Sequence, residues 1–128
     1  MADTMDRTSV IEQMYQGYLD AHELLVAGTM PNDIPQLAGF SERMDDDTIF
    51  QFQSLDLELR GRTAIETFMV EARQMLGLRE TPRQVYEHGD LVVSLNSSTI
   101  AGNDGTTPVV AVFQFDGDRV TRFWGFAG

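Results

Sequence analysis

The feature that most constrains this chain is a change of hydrophobic period after Gly77. Before it, apolar residues mostly recur three and four apart, as one face of a helix requires. Beyond it, no stretch keeps a helical stripe. Arg83 to His88, Leu91 to Ile100, Thr107 to Phe115 and Arg119 to Phe126 instead read as strands, with turn residues between them. His88-Gly89-Asp90, Gly102-Asn103-Asp104-Gly105 and Asp116-Gly117-Asp118 supply those turns, because glycine and short polar side chains tolerate the backbone angles a hairpin demands. Helices first and a run of hairpin-joined strands last predict an α+β fold.

The 128 residues suffice for one core, so the expectation is a single domain over 1–128, with 1–7 frayed. The formal net charge of −11 repels phosphate backbones and anionic headgroups, which argues against nucleic acid and membrane surfaces as partners. Without cysteine there is no thiolate nucleophile and no cysteine-ligated metal. No stretch approaches the roughly 20 apolar residues of a membrane span, and the first residues lack a secretory layout, so a cytoplasmic location is expected. No cofactor or metal motif is present. Asp45-Asp46-Asp47 lacks the alternating ligands and glycine of a calcium loop and reads as a solvated turn.

In the helical part, Ser9 with Glu12 fits a capping box opening a first helix that runs to about Ala27, with Gly28 at its end. Ile11, Met14, Tyr18, Ala21 and Leu25 form its buried stripe. A second helix starts at Asp33 or Ile34 and ends near Met44, burying Leu37, Phe40 and Met44. Thr48 to Gln53 alternates with Phe50 and Phe52 on one side. The parity slips at Ser54, and Leu55, Leu57 and Leu59 carry the next apolar face, which predicts a short hairpin. Thr63 with Glu66 gives a second capping box, and Ile65, Phe68, Met69, Ala72, Met75 and Leu76 form the stripe of a third helix that Gly77 stops.

Three segments carry a resemblance to a known family. Asp46-Asp47-Thr48-Ile49-Phe50 resembles an acidic run leading into a first strand. Leu59-Arg60-Gly61-Arg62-Thr63-Ala64-Ile65-Glu66-Thr67-Phe68 resembles a strand, Gly-Arg and A-I-x-x-F helix. Phe115-Asp116-Gly117-Asp118-Arg119-Val120 resembles a last hairpin. In this order they are similar to the SnoaL-like branch of the nuclear transport factor 2-like superfamily, over about residues 8 to 127. The resemblance implies a cone-shaped, curved mixed sheet wrapped around a long N-terminal helix (a cystatin-like α+β barrel), a mostly apolar pocket and a homodimer. Members include ketosteroid isomerases, polyketide cyclases, limonene epoxide hydrolases and scytalone dehydratases, so fold alone transfers no reaction. Matching the isomerases' motif puts Gln51 where their aspartate base would stand and Ala111 where their late-strand acid would, and neither residue can do that work. Tyr15 and Tyr18 miss the family's tyrosine offset from Gly28, and no Asp-Arg-Asp set like that of the epoxide hydrolases maps onto the chain.

The remaining candidates come from residue chemistry. Tyr18 and His22 are one helical turn apart and form the candidate catalytic pair, since histidine titrates near neutral pH. Gln51, Phe68, Tyr86, His88 and Trp124 are candidate ligand contacts: amide and imidazole groups orient a ligand, and aromatic walls line small-molecule pockets. Tyr86 and His88 share one strand face. Ser94, Ser97, Ser98 and Asn96 read as ordinary strand positions, Asn96 on the face of Val92 and Ser94 and exposed. The expected function is a pocket protein for a small hydrophobic or polyketide-like molecule, as an isomerase, cyclase, dehydratase or hydrolase. The alternative is a non-catalytic dimerisation or partner-binding module using the outer sheet face.

Overall fold

The computed structural model describes residues 6 to 127; the first five residues of the segment expected to fray lie outside the described residues. Helix α1 spans Arg7–Asp20. Its cap is Asp6, whose carboxylate accepts from the backbone N–H groups of Thr8 (3.1 Å) and Ser9 (3.4 Å), so the cap lies three residues before the expected Ser9. The expected long helix is broken at Ala21 (φ −98°, ψ 16°), and a short α2, His22–Val26, follows. Gly28, at φ +98°, ends it as expected.

A 3-10 turn, Pro31–Asp33, leads into α3, Pro35–Ser41, which packs across α1. The crossing is close: a Cβ on Gly17 would lie 2.8 Å from Leu37 Cδ2, so only glycine fits without displacement. The hairpin predicted around Ser54 is present as β1, Ile49–Phe52, and β2, Leu57–Arg60, joined by a 3-10 turn. Leu55 lies in that turn and is exposed. Helix α4 spans Arg62–Leu76 and ends at Gly77. Its cap is Gly61, not Thr63, and Glu66 is bonded elsewhere: Ser41 Oγ donates to Glu66 Oε2, joining α3 to α4 inside the protein. The buried face of α4 is Ile65, Glu66, Val70 and Arg73, whereas Met75 is 80% exposed. The expected stripe was therefore rotated, because two of the four buried side chains are charged and carry no hydrophobic signal.

Strands β3 (Arg79–His88), β4 (Leu91–Thr99), β5 (Thr107–Asp116) and β6 (Arg119–Ala127) complete one open six-stranded sheet in the order β2-β1-β6-β5-β4-β3. Among the described residues β1 and β6 pair in parallel and every other neighbouring pair is antiparallel. The mixed sheet is not closed into a barrel. Strand β3 begins four residues earlier than expected. Pro82 is tolerated because β3 is an edge strand, and the register shifts between Pro82 and Gln84. The acidic turn is tied into the fold: Asp47 N–H donates to Asp45 Oδ1 (2.9 Å), and Arg119 pairs with Asp45.

Candidate functional site

The inner face of the sheet has an apolar half and a polar half. Phe113 and Phe123 stack at 5.1 Å, Phe50 lies 4.6 Å from Phe123, and Phe40 of α3 stands edge-on to Phe113 and Phe123. Such offset and edge-on contacts place ring edges against ring faces, the favourable arrangement for aromatic quadrupoles. Tyr15 of α1 touches Phe113 edge-on at 6.3 Å and leads to the polar half.

The polar half lies where α1 and α4 finish and β3 begins. Strand β4 turns Val92, Ser94, Asn96 and Ser98 inward, all buried. Ser94 Oγ donates to Asn96 Oδ1 at 2.6 Å, and Asn96 Nδ2 approaches Glu80 Oε2 of β3 at 3.4 Å. The other oxygen of Glu80 faces Arg73 Nη2 at 4.0 Å. Arg73, only 2% exposed, donates to the Met69 carbonyl at 3.1 Å, and its guanidinium lies 4.2 Å from the centroid of the Tyr18 ring. Four elements thus deliver one cation, one carboxyl, an amide and hydroxyls to one place.

Burial sets the electrostatics. It pushes the Glu80 carboxyl above its ordinary value, against the opposing pull of Arg73 and Asn96. It pushes the Tyr18 hydroxyl up as well, so both Tyr18 and Tyr15 stay protonated and can donate. Near this cluster, partial burial lowers the His22 imidazole, and the positive charges of Arg79 and Arg73 add to the effect. His22 is therefore more neutral than a free histidine at the same pH.

Of the residues singled out from the sequence, Tyr18 lies within the cluster and His22, at the start of α2, lies within reach of its field. The break at Ala21 separates the pair. Phe68 packs 5.8 Å from Phe50, in the apolar half. Gln51, Tyr86 and Trp124 lie on the outer face, in one row that runs Tyr86, Val93, Val112, Trp124, Gln51 across the strands. Gln51 Nε2 donates to Glu58 Oε1 at 2.7 Å, Arg122 lies 5.8 Å from the Trp124 ring, and His88 is exposed at the end of β3. The sequence reading missed Arg73, Glu80 and the inward turn of Asn96. Two signals for them existed: Arg73 falls three residues after Val70 on the buried face of α4, and Asn96 shares the parity of Val92.

Ile11, Met14, Tyr15 and Tyr18 of α1 are buried, and the helix packs beside β3 and β4. An open hollow of about 280 Å³ at the β4–β5 hairpin is lined by Ser98, Asn103 and Thr107 among others. Ser98 is the inward residue next after Asn96, so the polar row leads from that hollow toward Glu80, which is also its register partner. A slightly larger hollow of about 300 Å³ lies outside, between α1 and β3, against Gln13, Gln16 and Arg83. Neither hollow is lined by Tyr18, Arg73, Glu80 or Asn96; the hairpin hollow is the one that reaches the inward polar row of β4, through Ser98.

Neither a family model nor a curated protein sequence matches this chain. Solved structures do. A protein of unknown function from Burkholderia pseudomallei, described as NTF2-like, superposes with a TM-score of 0.70 at 16% identity, covering 97% of this chain and 92% of its own. An LEH-like epoxide hydrolase from M. tuberculosis gives 0.62 at 15%, covering 96% and 86%. A Shewanella denitrificans protein assigned by likeness as a SnoaL-like polyketide cyclase gives 0.62 at 20%, covering 92% and 90%. At such identities the likeness speaks for architecture alone, and on that ground the chain has the nuclear transport factor 2-like fold that these SnoaL-like, isomerase-like and epoxide hydrolase-like proteins share.

Proposed function

We propose that this chain is a SnoaL-like small-molecule protein that holds a hydrophobic or polyketide-like compound at the inner face of its sheet and acts on it by proton transfer, as an isomerase, cyclase or dehydratase would. The observation that carries this reading is the buried cluster of Tyr15, Tyr18, Arg73, Glu80, Asn96 and Ser94. Packing alone calls for apolar side chains there, since burying an ion pair costs several kcal/mol per ion before attraction offsets it (about that size in real proteins). In this reading Glu80 of β3, its side chain 12% exposed, is the acid that the family's matched positions lack, and it takes or gives the proton. In this reading Tyr15 and Asn96 hold a ligand oxygen, and the neighbouring phenylalanines hold its apolar body.

A thermal-shift screen with steroids, terpenoids and aromatic polyketides tests this. A true ligand at about 100 times its Kd stabilises the fold by about 2.7 kcal/mol, and the same compound should turn over in the native protein and not in Glu80→Gln. No shift with any class, with the interior closed in soaked crystals, would remove the reading.

A second reading concerns the outer face and is compatible with the first. Val93, Leu95, Val110, Val112, Trp124 and Phe126 form two adjoining apolar rows there, with Phe126 41% exposed. We propose that a second copy covers them in a homodimer. Among the described residues no helix is long and apolar enough to cross a membrane, and we retain the cytoplasm as the proposed location.

A further inference from the structure

The ion pair at the centre of the cluster is loose. Charge-assisted N–H···O contacts close to about 2.7–2.9 Å, yet Arg73 Nη2 and Glu80 Oε1 are 4.0 Å apart, and the other Glu80 oxygen is 3.4 Å from Asn96. Neither oxygen of Glu80 is tightly held. The guanidinium, in contrast, is fixed from two sides, by the Met69 carbonyl and by the face of Tyr18. A rigid planar fork with a slack partner is a receptor for another planar anion.

We infer that the ligand bound by this cluster carries a carboxylate or a comparable anionic oxygen pair, that Arg73 receives it, and that Glu80 takes up a proton from solution as it yields its place. The inference rests on the proposed function above and narrows its substrate class. Charge balance dictates the proton. The cluster contains one cation, and a buried cation is best matched by one anion. A ligand carboxylate beside an ionised Glu80 would leave one negative charge uncompensated and shielded from water, which is strongly unfavourable. Protonating Glu80 restores one cation to one anion; its new O–H can donate to the ligand or to Asn96 Oδ1. No other bond is made or broken. The groups facing Glu80 are Tyr15 and Tyr18 from α1, Arg73 from α4 and Asn96 from β4. The two tyrosines stay neutral, so Glu80 is the group among them that can accept the proton. His22 and Arg79 stand further out, beside Arg73.

Calorimetric titration of the full chain with matched pairs tests this: octanoate against octanamide, 2-naphthoate against 2-naphthamide, and a steroid carboxylate against its amide. Each titration is run in two buffers of different ionisation enthalpy, which counts protons. The carboxylates should bind at least about tenfold tighter than the amides, as loss of a hydrogen bond to a charged group implies, and should take up about one proton each at neutral pH. Glu80→Gln should abolish that uptake, and Arg73→Gln should erase the preference for the acid. Should either variant fail to fold, the proton count on the native chain decides alone. Equal binding of acid and amide, or acid binding with no proton uptake, overturns the inference and leaves the proposed function standing. Failure of all six compounds overturns both.

Discussion

The two faces of strand β4 invert the usual arrangement of a sheet. Antiparallel sheets commonly turn apolar residues to the core and polar ones to water. Here the buried face is Val92, Ser94, Asn96 and Ser98, while the half-exposed face is Leu91, Val93, Leu95 and Ser97. The same inversion continues outward, where Trp124 looks away from the core and Arg73 looks into it. The rest of the inner face keeps the usual pattern, with Phe50, Phe113 and Phe123 buried, so the inversion is local to this end of the sheet. Polar groups inside and apolar groups outside are what a protein needs if its interior binds and its exterior docks.

The largest effect tests the inner face. Arg73→Met leaves Glu80, its side chain 12% exposed, without its cation and should cost about 3 kcal/mol, the lower end for a broken buried pair, read from urea denaturation midpoints. Adding Glu80→Gln to that variant should recover a large part of the loss, because the orphaned charge is then gone. A single variant as stable as the native protein would show that the pair is not electrostatically coupled, and the contrast between the faces would lose its centre.

The outer face answers to Trp124→Glu. It places a charge in the middle of the apolar row and should weaken the proposed homodimer by at least about thirtyfold, since a disrupted hot spot costs about 2 kcal/mol or more. Sedimentation should show the monomer, with the fold intact by circular dichroism. A native chain that is monomeric at high concentration would remove the docking role and leave the apolar rows unexplained.

The fold was legible because its punctuation is local. Gly77 at φ +60° stops α4, Gly89 and Gly117 at φ +63° make two hairpin turns, and the parity slip at Ser54 marks the β1–β2 corner. Each of these is written in a few adjacent residues. The polar cluster is not. Arg73 and Glu80 meet only because α4 packs over a sheet whose edge strand starts before Pro82, and a proline there reads as a strand boundary until the edge position is known. Asn96 looked exposed because its neighbours Ser94 and Ser98 are polar too, so the strand has no apolar face strong enough to say which side is in. For the same reason Trp124 read as a pocket wall. An aromatic residue signals burial against something, and the sequence does not say whether that is a core or a partner.

A third test uses pH. Burial holds the Glu80 and Glu66 carboxyls above their ordinary value of 4.5, with Arg73 and a Ser41 hydrogen bond opposing it respectively. The folded protein therefore keeps these protons to higher pH than the unfolded chain does. Stability is greatest below 4.5 from this source and declines as pH rises through the folded-state values. Asp6 and Asp45 act oppositely. Hydrogen bonds from Thr8 to the first and from the Asp47 backbone to the second hold them below 3.8, so their contribution is present above 3.8 and lost as pH falls through their folded values. These four acids together give a maximum in mildly acid solution, and His22, held below 6.5, opposes it by losing its contribution as pH falls through its folded value. Glu80→Gln should flatten the alkaline side of a denaturation-midpoint profile; an unchanged slope would assign that side to other groups.

The smallest effect is the sharpest test of which face is which. Gln51 stands where the resemblance to ketosteroid isomerases would put their base, yet its amide reaches across to Glu58 on the outer side of the sheet while its neighbour Phe50 is buried in the core. Gln51→Leu should change stability by no more than about 0.5 kcal/mol, as surface substitutions do, and should leave ligand binding where it was. Phe50→Ala, one residue away and facing inward, should cost about 3–5 kcal/mol by opening a cavity among Phe52, Phe68 and Phe123. If Gln51→Leu instead abolished binding while Phe50→Ala left it untouched, the ligand would lie on the outer face, and the roles assigned to the two sides would have to be exchanged.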